Sequence, residues 1–511
     1  MDVRTLMRRT VWFNAKREAI VAGKTRLSFE QAWERGVRLA NGLLALGIKP
    51  GDRVGVLEDN CVEAADFFLA GAIANIVRVP MYPRNTREAH VHMLAHTNCR
   101  AVLVMERYAH ELEGVQAELP DMRHVIVRDE TYAPWLARQS SVDPDLPIRP
   151  DDNYIIRHTG GTTGKSKGVS YTHKAWLDTA RNWFYLAPPV EPGDKCLHVG
   201  PISHGSGYLF LPVFLGGGCN VLEDHFDARG TVDLMEREGI AYMFMVPTMA
   251  NAIVNAPDPG PRDWSKLKCI QIAAAPISDD TALRTRAIFG DTLYQLYGQT
   301  EALPVAMMGP RQWFAEIEGS TPLRACGMPL PFAELEIWDE DNKPVPLGDP
   351  GEIVCKTDGQ MTGFWNNPEA TAERVINGWV KTGDIGRLDH NGYLYVLDRA
   401  DDMIISGGYN IWPAELENVI ANHPAIVEVA VVGIPHAKWG ETPLAVCVTN
   451  ALPVSDEEIT RLCAEALGSY KKPGQVILRK EPLPKTPVGK IRRKELREPH
   501  WAGHTRRVAG S

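Results

Sequence analysis

The sequence predicts an α/β protein: a large N-terminal domain of mostly parallel β-sheets flanked by helices, then a small α+β C-terminal domain. Three observations carry this prediction. Strand and helix patterns alternate through roughly the first 400 residues, the order that parallel sheets covered by helices require. The chain has 511 residues, too many for a single hydrophobic core. The pattern changes near residue 398, where a hairpin signal gives way to shorter, mixed elements.

Each element has its own signature. Trp33, Val37, Ala40 and Leu44 share one helical face, and Gly47 with Pro50-Gly51-Asp52 ends that helix. Arg53 to Leu57 reads as a strand, 61–76 as a helix and 76–80 as a strand. Tyr154 to Arg157 and Val169-Ser170-Tyr171-Thr172 are β-favouring. Asn391-Gly392 marks a tight hairpin turn. Beyond it Pro413 opens a helix with Leu416, Val419 and Ile420 on one face, Ile426–Val432 reads as a strand, and 456–467 as a helix. Residues 1–398 are therefore assigned to the large domain and 402–498 to the small one, with 499–511 as a tail.

Composition narrows the function. Apolar residues are 44% and charged residues 23%, as in ordinary globular proteins. Net charge is −9, which points away from a nucleic-acid binder. From Lys471 and Lys472 to Arg497 the chain is nevertheless basic, which suits either a solvated tail or a surface that meets polyphosphate. Nine scattered cysteines without a C-x-x-C pair fit reduced thiols better than disulfides or a zinc site. The N-terminus has no apolar signal core, and Phe67 to Val77 is too short to span a bilayer, so a cytoplasmic location is expected.

The most informative segment is Thr159-Gly160-Gly161-Thr162-Thr163-Gly164-Lys165-Ser166-Lys167-Gly168. Its glycines allow close backbone passage around a ligand, and its N–H groups, hydroxyls and two lysines concentrate donors for an anion. The nucleotide-hydrolase loop G-x-x-x-x-G-K-[ST] is excluded, because its first glycine falls on Thr159 and the segment runs into a strand, not a helix. The segment resembles the phosphate-binding signature of the adenylate-forming superfamily: acyl- and aryl-CoA synthetases, amino-acid-adenylating domains and firefly-type luciferases. That family usually has Ser where Gly160 stands and Pro where Ser166 stands; the other glycines, the threonines and Lys167 are kept.

Further signatures follow in the family's order. Leu296-Tyr297-Gly298-Gln299-Thr300-Glu301 resembles the segment in which the tyrosine stacks on adenine, Thr300 bonds a phosphate and Glu301 holds Mg²⁺. Taken alone, Thr300-Glu301 would suit a helix cap. Ala273-Ala274-Ala275-Pro276 resembles the small-residue wall beside the adenine, and Thr382-Gly383-Asp384 the segment whose aspartate binds the ribose. Gly351-Glu352-Ile353 and Gly363-Phe364-Trp365 match as structural segments. By resemblance Arg399 touches the ribose, 399–401 is the hinge with Asp401 as its pivot, and Ser406-Gly407-Gly408-Tyr409 lines the CoA pantetheine channel. Pro484 to Ile491 resembles the terminal signature, which makes Lys490 the catalytic lysine. The resemblance covers about residues 25 to 498.

It implies a β-barrel-like subdomain in the large domain and a two-step acid–CoA ligase reaction using ATP, Mg²⁺ and coenzyme A. The expected partners are an apolar carboxylic acid, ATP and CoA, without nucleic acid or transmembrane segment; a homodimer is compatible. The acyl pocket is expected to draw on His204, Tyr208, Met245, Ala275 and Val305. The aligned stretches hold no Asp or Glu, which disfavours an amino acid because its ammonium would be buried unpaired. His204 matches a family position at the pocket entrance, as a catalytic residue or as a packed core histidine. Three other readings stand beside it: delivery to a carrier protein, a non-catalytic nucleotide binder, and a serine hydrolase. Ser203-His204-Gly205-Ser206-Gly207 fails the last, because His204 stands where G-x-S-x-G needs glycine.

Overall fold

The computed structural model describes residues 1–159, 166–257, 260–399, 402–406, 409–485 and 491–502. The predicted bodies of its elements are present. The helix Phe29–Ala45 starts at a capping box, in which Ser28 and Gln31 satisfy each other's backbone N–H groups. The predicted strand Arg53–Leu57 and helix Asp456–Leu467 have the predicted limits. The apolar stretch from Phe67 to Ile73 lies in the helix Val62–Ile73, buried on every side from Ala64 to Ile73, and no helix among the described residues is long and apolar enough to cross a membrane.

Two large sheets form the body of the protein. The seven-stranded sheet has a parallel centre of Val77–Pro80, Arg53–Leu57, Ala101–Met105 and His124–Arg128 beside Asn153–Thr159. The nine-stranded sheet runs parallel through Cys219–Leu222, Lys195–His198, Ile240–Met245, Cys269–Ile272 and Leu293–Gln299. The largest hydrophobic cluster draws on both sheets and on the helices Val62–Ile73, His173–Phe184 and Gly207–Leu215. Within the seven-stranded sheet, Glu58 is buried between Arg78 at 3.2 Å and Arg128, so its charge is compensated twice.

A third, curled sheet is antiparallel and includes Gly351–Thr357, Trp379–Leu388 and Leu394–Arg399. The last two strands form the predicted hairpin around Asn391-Gly392. After Arg399 the chain leaves this sheet, and Ile404–Ser406 already pairs in a separate five-stranded sheet. That smaller sheet packs against the helices Pro413–Ala421 and Asp456–Leu467 around Ile404, Leu416, Val431 and Ile459.

The basic tail is largely internally paired. Lys471 bonds Glu415 at 2.6 Å, Arg493 bonds Glu417 at 2.7 Å, Arg497 lies 3.4 Å from Asp402, and Lys485 pairs with Glu428. The choice between a bare solvated tail and a bare polyphosphate surface was thus too simple: many of these cations hold the small domain together.

Candidate active site

Ligands of open α/β sheets bind beyond the carboxyl ends of the strands, and the predicted residues Thr159, Ala274, Ala275, Thr300 and Glu301 lie at or beyond such ends. Thr159 ends the strand Asn153–Thr159, and the chain re-enters the sheet at Lys167 directly alongside it. Gly160, Gly161, Thr162, Thr163, Gly164 and Lys165 lie outside the described residues. Histidines on the helix Arg87–His96 hold both sides of this mouth: His96 Nδ1 is 3.3 Å from His158 Nε2, and His92 Nε2 is 3.0 Å from the Ser166 carbonyl. Burial pushes the His158 imidazole down to about 3, so it is neutral near pH 7. Gly363 and Phe364 pair with Ser170 and Val169, Trp365 N–H bonds the Gly168 carbonyl at 2.7 Å, and Lys167 Nζ sits 5.3 Å over the Phe364 ring. The Gly363-Phe364-Trp365 segment therefore braces the strand leaving the loop.

The second wall is the hairpin between Leu293–Gln299 and Ala302–Met308. Thr300 and Glu301 form its turn rather than a helix cap. Gly298 must lack a side chain, since a β-carbon there would lie 2.5 Å from Leu303 Cβ. Tyr171 Oη donates to the Thr300 carbonyl at 2.6 Å, tying this turn to the strand that follows the glycine-rich loop. Glu301 is buried, with Arg374 3.8 Å from its carboxylate.

Asp384 joins the hairpin to the curled sheet. The Tyr297 hydroxyl and the Gln299 amide both donate to its Oδ2 at 2.7 Å. Burial, with the Asp384 carboxylate next, holds the Tyr297 phenol well above its ordinary range, so it stays a donor. Arg374 donates to Gln299 Oε1 and to the Thr382 carbonyl, each at 3.0 Å. Glu352 accepts the Gly383 N–H at 2.9 Å and fixes the Thr-Gly-Asp bend. Arg399 is the strand partner of Asp384. Ala274 and Ala275 are exposed beyond the strand Cys269–Ile272, and Ala274 adopts the left-handed φ of +77°.

The third wall carries His204. Its loop is fixed by Asn60, which accepts the Ile202 N–H at 2.8 Å, and by Gly207, where a β-carbon would lie 1.9 Å from the Ile202 carbonyl oxygen. Tyr208 stacks between Trp176 at 5.1 Å and Trp183 at 5.2 Å, and Trp183 meets Phe244 edge-on at 5.9 Å. Met245 does not join them. Residues alternate along Ile240–Met245, so Phe244 faces Trp183 while Met245 packs with Leu197 and Ile272 in the core on the opposite face of the sheet. Val305 is wholly buried in the main core. Ser206 makes a chain with His198 and Asn220, each bond 2.8 Å, but all three are buried, which bars them from acting as a hydrolase triad.

Ser406 pairs with Gly440 and Tyr409 in the small sheet. Asp401, Gly407, Gly408 and Lys490 lie outside the described residues; Lys485 and Ile491, near the two ends of the terminal signature, bridge each other. Sequence reading missed Arg157, Tyr171 and Arg374. Only Arg157 left a signal, a cation inside the apolar run Tyr154-Ile155-Ile156. Tyr171 and Arg374 reach the hairpin from 129 and 75 residues away.

The sequence profile described as AMP-binding enzyme matches residues 8–365, and that of the AMP-binding enzyme C-terminal domain matches 415–490. The chain belongs to the AMP-binding enzyme family. Within this family it is 33% identical to a feruloyl-CoA synthase of an Amycolatopsis species, over 94% of this chain and 95% of that one. It is 32% identical to the medium/long-chain-fatty-acid–CoA ligase FadD8 of Mycobacterium tuberculosis, over 95% and 88%. The solved structure of ATP-bound MatB from Rhodopseudomonas palustris superposes with a TM-score of 0.89 at 26% identity, covering 99% of this chain and 100% of that one. AMP-binding enzymes thus share both its sequence pattern and its architecture.

Proposed function

We propose that this chain is an acid–CoA ligase, which activates an apolar carboxylic acid with Mg·ATP and passes the acyl group to coenzyme A. The carboxylate attacks the α-phosphate, pyrophosphate leaves, the CoA thiolate then attacks the acyl carbon of the adenylate, and AMP leaves. One observation carries the reading. The mouth of the glycine-rich loop and the Thr300-Glu301 turn come from different sheets and are bonded together through Tyr171, beside the Asp384 cluster.

In this reading the loop residues Thr159 to Gly164 and Lys167 cradle the triphosphate, Ala274, Ala275, Tyr297 and Gly298 flank the adenine, and Asp384 and Arg399 take the ribose. Thr300 bonds a phosphate. Glu301 offers hard oxygen donors that suit Mg²⁺, and its carboxylate lies 3.8 Å from Arg374. When bound, Mg²⁺ neutralises phosphate charge. Lys490 brings a second positive charge between carboxylate and α-phosphate. Asp401 is the pivot about which the small domain exchanges Lys490 for the 406–409 stretch, which lines the CoA channel. The acid lies against His204, Tyr208, Ala275, Trp183 and Phe244. A cytoplasmic setting, where ATP and CoA are available, completes the proposal.

The test is pyrophosphate release with ATP and a panel of short, long, aromatic and alicyclic acids, with and without CoA. Release with at least one acid, and an acyl-CoA product when CoA is added, is expected. No release with any of them removes the reading. The panel spans the feruloyl and fatty acids for which its relatives are named.

A further inference from the structure

Arg157 is 1% exposed. It lies on the strand Asn153–Thr159, two residues before the end of that strand. Among the described residues no carboxylate lies within ion-pairing distance of it, and its Nε has no hydrogen-bond partner. An uncompensated guanidinium is costly to bury, so its few contacts define its role. Its Cζ lies 4.2 Å over the Tyr208 ring and 5.8 Å from the Trp176 ring, and aromatic faces stabilise a cation. Its Nη2 donates to the Ser203 carbonyl at 3.1 Å and reaches His204 Nδ1 at 3.5 Å.

The last contact has a chemical consequence. A guanidinium only donates hydrogen bonds, so the nitrogen facing it must accept. A neutral imidazole that accepts at Nδ1 carries its single proton on Nε2. The ring has little freedom to escape: its loop is pinned by Asn60 and by the close passage of Gly207, and the Tyr82 ring stands edge-on at 5.1 Å.

We propose that Arg157 is a positioning residue that holds His204 as the neutral Nε2–H tautomer, so that His204 serves as a hydrogen-bond donor to the acid or its adenylate and not as a base. This inference rests on the reading of His204 as a residue of the acid's pocket. It assigns Arg157 a function that its complete burial conceals.

A double-mutant cycle tests it, with Arg157→Met, His204→Ala and the pair compared in acid-dependent pyrophosphate exchange, and thermal melting as a folding control. Each single change is expected to lower kcat/KM by about 10- to 100-fold, as loss of a donor or of its orienting partner does. In the His204→Ala background Arg157→Met should add less than about 2-fold, since coupled residues are not additive. Arg157→Lys keeps a cationic donor and is expected to lose less than about 5-fold, which preserves the test should the methionine variant not fold. His204→Gln, whose amide N–H stands near the place of Nε2–H, should retain more activity than His204→Asn. Multiplicative losses in the cycle, or His204→Asn outperforming His204→Gln, overturn the tautomer assignment while leaving the pocket reading intact. A silent His204→Ala overturns both.

Discussion

Asp384 accepts the Tyr297 hydroxyl and the Gln299 amide at one oxygen, so a single carboxylate orients two side chains of the hairpin. Among the described residues the Glu301 carboxylate, in the signature of Tyr297 and Gln299, makes only a loose contact with Arg374. Glu301→Gln is therefore expected to cut pyrophosphate exchange by about 100-fold, the scale of losing one transition-state charge contact, while the melting temperature stays near that of the parent. Ala274 makes a separate prediction. A left-handed φ at an alanine costs about 1–2 kcal/mol. Ala274→Gly should leave stability unchanged or raised, whereas Ala70→Gly inside the helix Val62–Ile73 should cost about 1 kcal/mol, both read by urea unfolding. These residues also mark what the chain's order reveals. Tyr297, Glu301 and Asp384 were legible because each sits in a short signature with fixed spacing. Arg374 and Tyr171 were not, because their partners come together only after the sheets close, and no local pattern encodes that meeting.

The helix Arg87–His96 and the strand Asn153–Thr159 meet through imidazoles, and two further buried histidines, His173 and His198, lie in the same body. Burial depresses His158 to about 3 and His173 and His198 to about 4, against an ordinary value of 6.5. In that interval the unfolded chain binds protons that the folded chain refuses. The stability is fully present above pH 6.5 and is lost as pH falls toward those lower values, by about 1.4 kcal/mol per pH unit for each histidine. Urea midpoints should drop steeply between pH 7 and pH 5; a flat profile would contradict the buried-neutral assignment. At this scale most of the fold was readable, since elements such as Arg53–Leu57 and Asp456–Leu467 follow from periodicity and caps alone. Of the curled sheet, the Asn391-Gly392 hairpin was legible, whereas its closure was expected only by resemblance, because pairs such as Gly351–Thr357 with Trp379–Leu388 join segments distant in sequence.

In the proposed mechanism, two steps of chemistry in one crevice have Lys490 and the 406–409 stretch take turns. Lys490→Ala is expected to abolish adenylate formation, by about 100-fold or more, yet leave thioester formation from supplied acyl-adenylate largely intact. Asp401→Pro should do the opposite by blocking rotation; equal losses in both half-reactions for either variant would contradict the alternation. The acid was the part least legible from sequence. Alternation along Ile240–Met245 turns Met245 into the core on the opposite face, and Arg157 brings a buried cation beside Tyr208 and His204.

The Ile202 carbonyl oxygen occupies the space that a β-carbon at position 207 would need. Any heavier residue there would dislodge the segment bearing His204, so that stretch of backbone is closed to inheritable variation. In the proposed pocket, an altered choice of acid would then arise on the facing aromatic side chains Trp183 and Phe244. Laboratory evolution of this scaffold should accordingly accumulate its changes on those side chains and leave position 207 untouched.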